Sequence, residues 1–145
     1  ILAYRKTKND LLSPYPGAKK MLTLLKKKRY KLAILSDAPK LEAYLRLCSV
    51  GFDGFFDVIL TKDDIGKVKP HSKGFLLAAK KLGVLPKDCI MVGDRPERDI
   101  FGAKKLGMKT IFAKYGNAHD DKSDEADAVA NNVLDIVKIV GKGEL

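Results

Sequence analysis

The segment Cys89–Ala113, CIMVGDRPERDIFGAKKLGMKTIFA, constrains the fold of this chain more than any other stretch. Cys89–Val92 is a short apolar run, which predicts a strand buried on both faces. Gly93 breaks the run, Asp94 stands where the strand would end, and Arg95-Pro96-Glu97-Arg98 reads as a polar turn. From Asp99 onward Ile100, Ala103 and Leu106 recur near helical period until Gly107 stops the helix, and Thr110–Ala113 predicts the next strand. Strand, acidic turn, helix and strand make a βαβ unit, the building block of parallel sheets. Ligands of open parallel sheets bind at the carboxyl ends of the strands, where Asp94 would sit. Two carboxylates one turn apart suit a hard divalent cation such as magnesium, held through oxygen. They equally suit the capping of the helix that follows, and on this segment alone both readings stand.

The remaining chain repeats the alternation. Pro14-Tyr15-Pro16-Gly17 is turn punctuation ahead of a helix whose Ala18, Met21, Leu22 and Leu25 share one face. Lys31–Leu35 predicts a buried strand ending in Ser36-Asp37-Ala38-Pro39, and a second helix follows with Leu41, Tyr44, Leu45 and Cys48 on its apolar side. Asp57–Leu60 predicts a third strand, Thr61–Ser72 a loop carrying Lys67 and Lys69, and the next helix buries Phe75, Ala79 and Leu82. After the central unit, Tyr115–Asp127 reads as a polar surface loop and Asp127–Ala130 as a short edge strand. Val133, Ile136, Val137 and Val140 form the face of a closing helix. Helices alternating with short apolar strands specify a three-layer α/β fold with a mostly parallel sheet, and 145 residues suffice for one core.

Composition narrows the function classes. No apolar run reaches membrane-spanning length and no charged-then-apolar leader is present, so a soluble, cytoplasmic protein is expected. Cys48 and Cys89 are expected as buried free thiols, neither disulfide-bonded nor metal-bound. Lysine and arginine exceed the acids by ten, which raises a nucleic-acid partner. The lysines, however, are scattered over helix faces, as in Lys19, Lys20, Lys80, Lys81, Lys104 and Lys105, and no aromatic platform accompanies them. Solvated helix faces of the kind thermophiles favour are the better reading, with neither nucleic acid nor membrane as partner.

Three predicted strand ends then carry different polar groups: Ser36 a hydroxyl, the loop after Leu60 an ammonium on Lys69, and the central unit Asp94 and Asp99. Singly each has a plainer meaning, a turn hydroxyl for Ser36 and a solvated loop side chain for Lys69, with Lys67 competing for any role of Lys69. Together they suit stabilisation of a transferring phosphoryl group, where catalysis is largely positioning and electrostatics. At this point the chain resembles the haloacid dehalogenase superfamily. Leu32–Asp37 is similar to its second motif, an apolar strand ending in Ser or Thr. Lys69-Pro70 resembles its third motif and Val92-Gly93-Asp94 with Asp99 its fourth, in the family's order and over about Pro14 to Val140.

The resemblance implies a Rossmann-like core and a magnesium-dependent phosphatase of a small phosphorylated metabolite. Ser36 would hydrogen-bond a phosphoryl oxygen, aided by backbone N–H groups near Asp37, and Lys69 would neutralise charge on nucleophile and phosphoryl group. Asp94 would hold magnesium directly, and Asp99 would hold it through water or orient Lys69. The Gly-Asp form of the fourth motif favours phosphatases over the metal-free dehalogenases, although a phosphomutase, a dehalogenase and a catalytically inactive binding domain remain alternatives.

The family's first motif, a strand ending in Asp-x-Asp that supplies the covalent nucleophile, is missing. Asp63-Asp64 is a doublet, Asp120-Asp121 and Asp124 follow no apolar run, and Ile1–Tyr4 leads into Arg5-Lys6. Without that carboxylate no aspartyl-phosphate forms, so this chain alone is expected to be inactive. In such folds the missing strand lies at the sheet's centre, between those bearing Ser36 and Asp94. Its absence predicts an open groove there, to be filled by an upstream segment or by a second copy through swapping. Residues 1–13 would then be the return from a missing cap, and 14–145 an incomplete core domain.

Overall fold

A computed structural model describes residues 4–6, 12–123, 125–143 and 145. The three-layer α/β arrangement is present. Strands β1 (Tyr4–Lys6) and β2 (Leu12–Pro14) pair antiparallel, in a region where the sequence shows no period. Residues 1–3 and 7–11 of the expected return segment lie outside the described residues. Helix α1 (Ala18–Lys27) follows, entered through Gly17 at φ +85°, a left-handed conformation suited to glycine. A Cβ there would also come 3.1 Å from Leu134. The face predicted for α1 is the buried one, Ala18, Met21, Leu22 and Leu25, and Lys26 and Lys27 in its last turn complement the helix dipole.

Strand β3 (Ala33–Leu35) pairs in parallel with β4 (Val58–Leu60), Ile34 opposite Ile59. Strand β5 (Ile90–Gly93) pairs in parallel with β6 (Lys109–Ala113), and β6 in turn with β7 (Ala128–Ala130), an edge strand as expected. Successive residues of β3 serve opposite layers. Ile34 joins a core with Met21, Leu22, Ile111 and, from helix α6 (Asp135–Gly141), Ile136. Leu35 joins another with Met91 and with Phe75 and Ala79 of helix α4 (Ser72–Leu82). That alternation, helices on either side of parallel strands, defines the layers.

Several expectations need correcting. Helix α2 (Lys40–Ser49) buries Ala43 and Leu47, not the Leu41, Leu45 and Cys48 stripe, which is exposed. Neither thiol is disulfide-bonded, but Cys48 is exposed and Cys89 only half-buried. Leu82 is half-buried. The loop Thr61–Ser72 contains a short helix, α3 (Lys62–Ile65), whose capping box joins Thr61 and Asp64 reciprocally, while Asp63 of the doublet accepts from the Lys40 N–H.

The two parallel sheets do not meet. Among the described residues β3 pairs with β4, β5 with β6, and no strand links β3 to β5. A cavity of about 470 Å³ is lined by Ala33 and Leu35 of β3 and by Ile90, Met91 and Val92 of β5. Met21 and Leu25 of α1 and Phe75 and Ala79 of α4 complete its walls. Two strand edges and a helix from each outer layer thus bound a slot shaped for one more apolar strand, as the missing motif implied.

Candidate active site

Ser36 and Asp94 sit just beyond the carboxyl ends of β3 and β5, and Lys69 and Asp99 reach the same end from the loop before α4 and the turn after β5, so the sheet brings together groups distant in sequence. Ser36 follows β3. Its N–H donates to the Leu60 carbonyl at 2.9 Å, extending the β3–β4 pairing by one bond. Its Oγ accepts from the Ala38 N–H at 3.1 Å, a turn bond that leaves the hydroxyl proton free to donate. The turn role is therefore compatible with the expected donor role.

Lys69 reaches the same rim from the loop between α3 and α4. Its Nζ donates to the Leu35 carbonyl at 3.2 Å and lies 2.9 Å from Asp99 Oδ1, with both side chains buried. An ammonium has three protons, so one remains for a further acceptor. Lys67 is exposed, whereas Lys69 is buried. His71 accepts from the Lys73 N–H through Nδ1 at 3.1 Å and so caps α4.

The turn after β5 is helical where the sequence predicted a polar turn. Pro96–Ile100 is a π-helical turn that runs directly into helix α5 (Phe101–Lys104). The Asp99 N–H donates to the Arg95 carbonyl at 2.7 Å, while its Oδ2 accepts from the Arg95 N–H at 3.1 Å. Both Asp99 oxygens are thus engaged by protein groups, and the half of its expected role that orients Lys69 is the one this geometry favours. Asp94 is half-buried and its carboxyl is pushed above the ordinary carboxylate range, by burial first and then by the neighbouring Asp99 charge. Among the described residues no three His, Cys, Asp or Glu side chains gather into a metal cluster.

Gly93 explains its own presence. A Cβ there would fall 2.3 Å from both Cβ and Oδ2 of Asp99. Gly93→Ala is therefore expected to displace Asp99 from Lys69 and to cost about 2–3 kcal/mol in chemical denaturation. A variant with wild-type stability would mean that the turn yields freely.

Asp37, expected near the substrate, has its carboxylate occupied. Oδ1 accepts from the Lys69 N–H at 3.0 Å and Oδ2 lies 3.3 Å from Nη1 of Arg98. Asp37 and Arg98 therefore tie together the three segments that follow β3, precede α4 and follow β5.

Arg98, Tyr115 and Asn117 escaped the sequence reading. Tyr115 packs edge-on against Tyr15, ring centroids 5.1 Å apart, and its hydroxyl pKa is raised by burial and by the Tyr15 and Asp94 charges. Asn117 donates from Nδ2 to the Asp94 carbonyl at 2.8 Å. A signal for both existed: they follow β6, and the carboxyl end of every parallel strand faces the site.

A model for haloacid dehalogenase-like hydrolases matches residues 1–113, most of the chain. The chain belongs to that family. It is 41% identical over 116 residues to a glyceraldehyde 3-phosphate phosphatase of Pyrococcus furiosus, an alignment covering 80% of this chain and 48% of the relative. A protein of the same name from Methanocaldococcus jannaschii is 35% identical over 141 residues, covering 97% of this chain and 62% of the relative. The crystal structure of a phosphatase of this superfamily from Thermococcus onnurineus superposes with a TM-score of 0.82 at 34% identity, covering 92% of this chain and 61% of that one. The chain thus spans about half to two thirds of the length of these relatives, and no described helix is long and apolar enough to cross a membrane.

Proposed function

We propose that this chain is the catalytic-core portion of a magnesium-dependent phosphohydrolase acting on a small phosphorylated metabolite through an aspartyl-phosphate intermediate. The observation that carries the reading is the convergence on one rim. The Lys69 ammonium bridges the carbonyl that ends β3 and the carboxylate of the turn after β5, at 3.2 and 2.9 Å. Ser36 donates its hydroxyl proton to one phosphoryl oxygen, and the remaining Lys69 proton reaches another. Fixed donors of this kind favour the transition state because charge grows on those oxygens as the bond to the leaving group breaks.

Asp94 with Asp99 beside it offers hard oxygen donors of the type magnesium takes, and the raised Asp94 pKa marks a place where a cation would relieve repulsion. Bound there, magnesium would neutralise charge on the phosphoryl group. The nucleophilic carboxylate comes from a strand outside this sequence, in an upstream segment, that enters the slot between β3 and β5. Residues 1–13 lead back from a cap, and 14–145 form the core that this strand completes. The relatives' names make glyceraldehyde 3-phosphate the first substrate to assay.

A chain extended upstream to the relatives' length is expected to hydrolyse p-nitrophenyl phosphate with magnesium and to stop on addition of EDTA. The 145-residue chain is expected to show no turnover. Full activity in EDTA, or turnover by the short chain, would overturn the reading.

A further inference from the structure

The segment after β6 reads as ordinary surface loop, yet its Asn117 is half-buried and all of its side-chain atoms are used. Oδ1 accepts from the Asp121 N–H at 2.8 Å and the His119 N–H at 3.2 Å, folding the loop on itself. Nδ2 donates to Asp121 Oδ2 at 2.9 Å and to the Asp94 main-chain carbonyl at 2.8 Å. This last bond crosses from the end of β6 to the end of β5, two strands paired in parallel up to Gly93 opposite Phe112. Beyond Gly93 the ladder stops, so the Asp94 carbonyl would otherwise depend on water.

We propose that Asn117 is a positioning residue. Its carboxamide extends the β5–β6 ladder by one bond through a side chain, and so fixes the backbone from which the Asp94 carboxylate projects beside Asp99 and Lys69. The only group in Asn117 that does this is the N–H₂; the oxygen serves the loop. Asn117→Asp keeps an acceptor for the His119 and Asp121 N–H groups but loses both Nδ2 bonds, to the Asp94 carbonyl and to Asp121 Oδ2, and sets a second carboxylate beside Asp121. The bearing of this role on cation binding rests on the function proposed above, but the positioning itself does not.

The test is amide hydrogen exchange on the 145-residue chain, followed residue by residue by NMR. The Arg95, Arg98 and Asp99 amides report the turn, and Ala79 in α4 reports global opening. Asn117→Ala and Asn117→Asp are both expected to speed exchange of the turn amides about tenfold, as loss of one anchoring bond implies, while Ala79 is unchanged. Wild-type exchange in the turn of either folded variant would overturn the proposal. Manganese ions supply a second readout. They are expected to broaden signals from residues 94–99 in the wild type, and Asn117→Ala is expected to need about tenfold more metal for the same broadening. If manganese leaves the wild-type turn untouched, the cation reading of Asp94 falls, and exchange alone decides the role of Asn117.

Discussion

Replacing Asp99 with asparagine is expected to lower the unfolding free energy by about 3–5 kcal/mol, measured by urea denaturation at neutral pH. The Lys69 and Asp99 side chains are 6% and 2% exposed, so both charges have left water and each is tolerable because the other lies 2.9 Å away. Asparagine keeps the shape of the side chain and an oxygen for the Arg95 N–H, but leaves the ammonium with the Leu35 carbonyl as its remaining partner. Removing both charges tests the cause. Lys69→Met combined with Asp99→Leu is expected to recover much of the loss, because the penalty lies in the unpaired buried charge and not in the absence of an attraction. A loss below about 1 kcal/mol for Asp99→Asn would mean that the ammonium swings out to water. It would then not be held ready for a phosphoryl oxygen.

The same residues show what a sequence can and cannot carry. Ser36, Lys69 and Asp94 were legible because each ends an apolar run or precedes a helix, and parallel topology sends all such positions to one rim. The strands were legible for the same reason. Helix α2 was not. Its sequence KLEAYLRLCS holds two stripes, Leu41/Leu45/Cys48 and Ala43/Leu47, and hydrophobicity alone favours the first. The fold buries the second, with Leu47 reaching the core beside α1 and the small Ala43 allowing close approach, and only tertiary packing decides between them. Asn117 was illegible for another reason. Its role depends on a single bond to a main-chain carbonyl, which any polar loop residue can make and no periodicity announces.

The plainest rival for Asp94 is a helix cap, and stability and activity separate the two. In an extended chain that contains the nucleophile, Asp94→Asn is expected to reduce magnesium-dependent turnover about 10³-fold. In the 145-residue chain the same change is expected to raise the melting temperature at neutral pH. Burial and the Asp99 charge push the Asp94 pKa up, so folding disfavours its charged form. That unfavourable contribution is absent well below the ordinary value of 3.8, grows as pH rises through the raised folded pKa, and is complete above it. The gap between variant and wild type should therefore open with rising pH and close in acid, in thermal melts run across that range. A cap behaves in the opposite way. A carboxylate that stabilises a helix end has a lowered pKa, and its removal costs stability most at neutral pH. A variant that melts below wild type at pH 7 would make Asp94 a cap. One that melts above it, while the extended enzyme falls silent, marks a carboxylate held at a cost to the fold for the sake of the cation it binds.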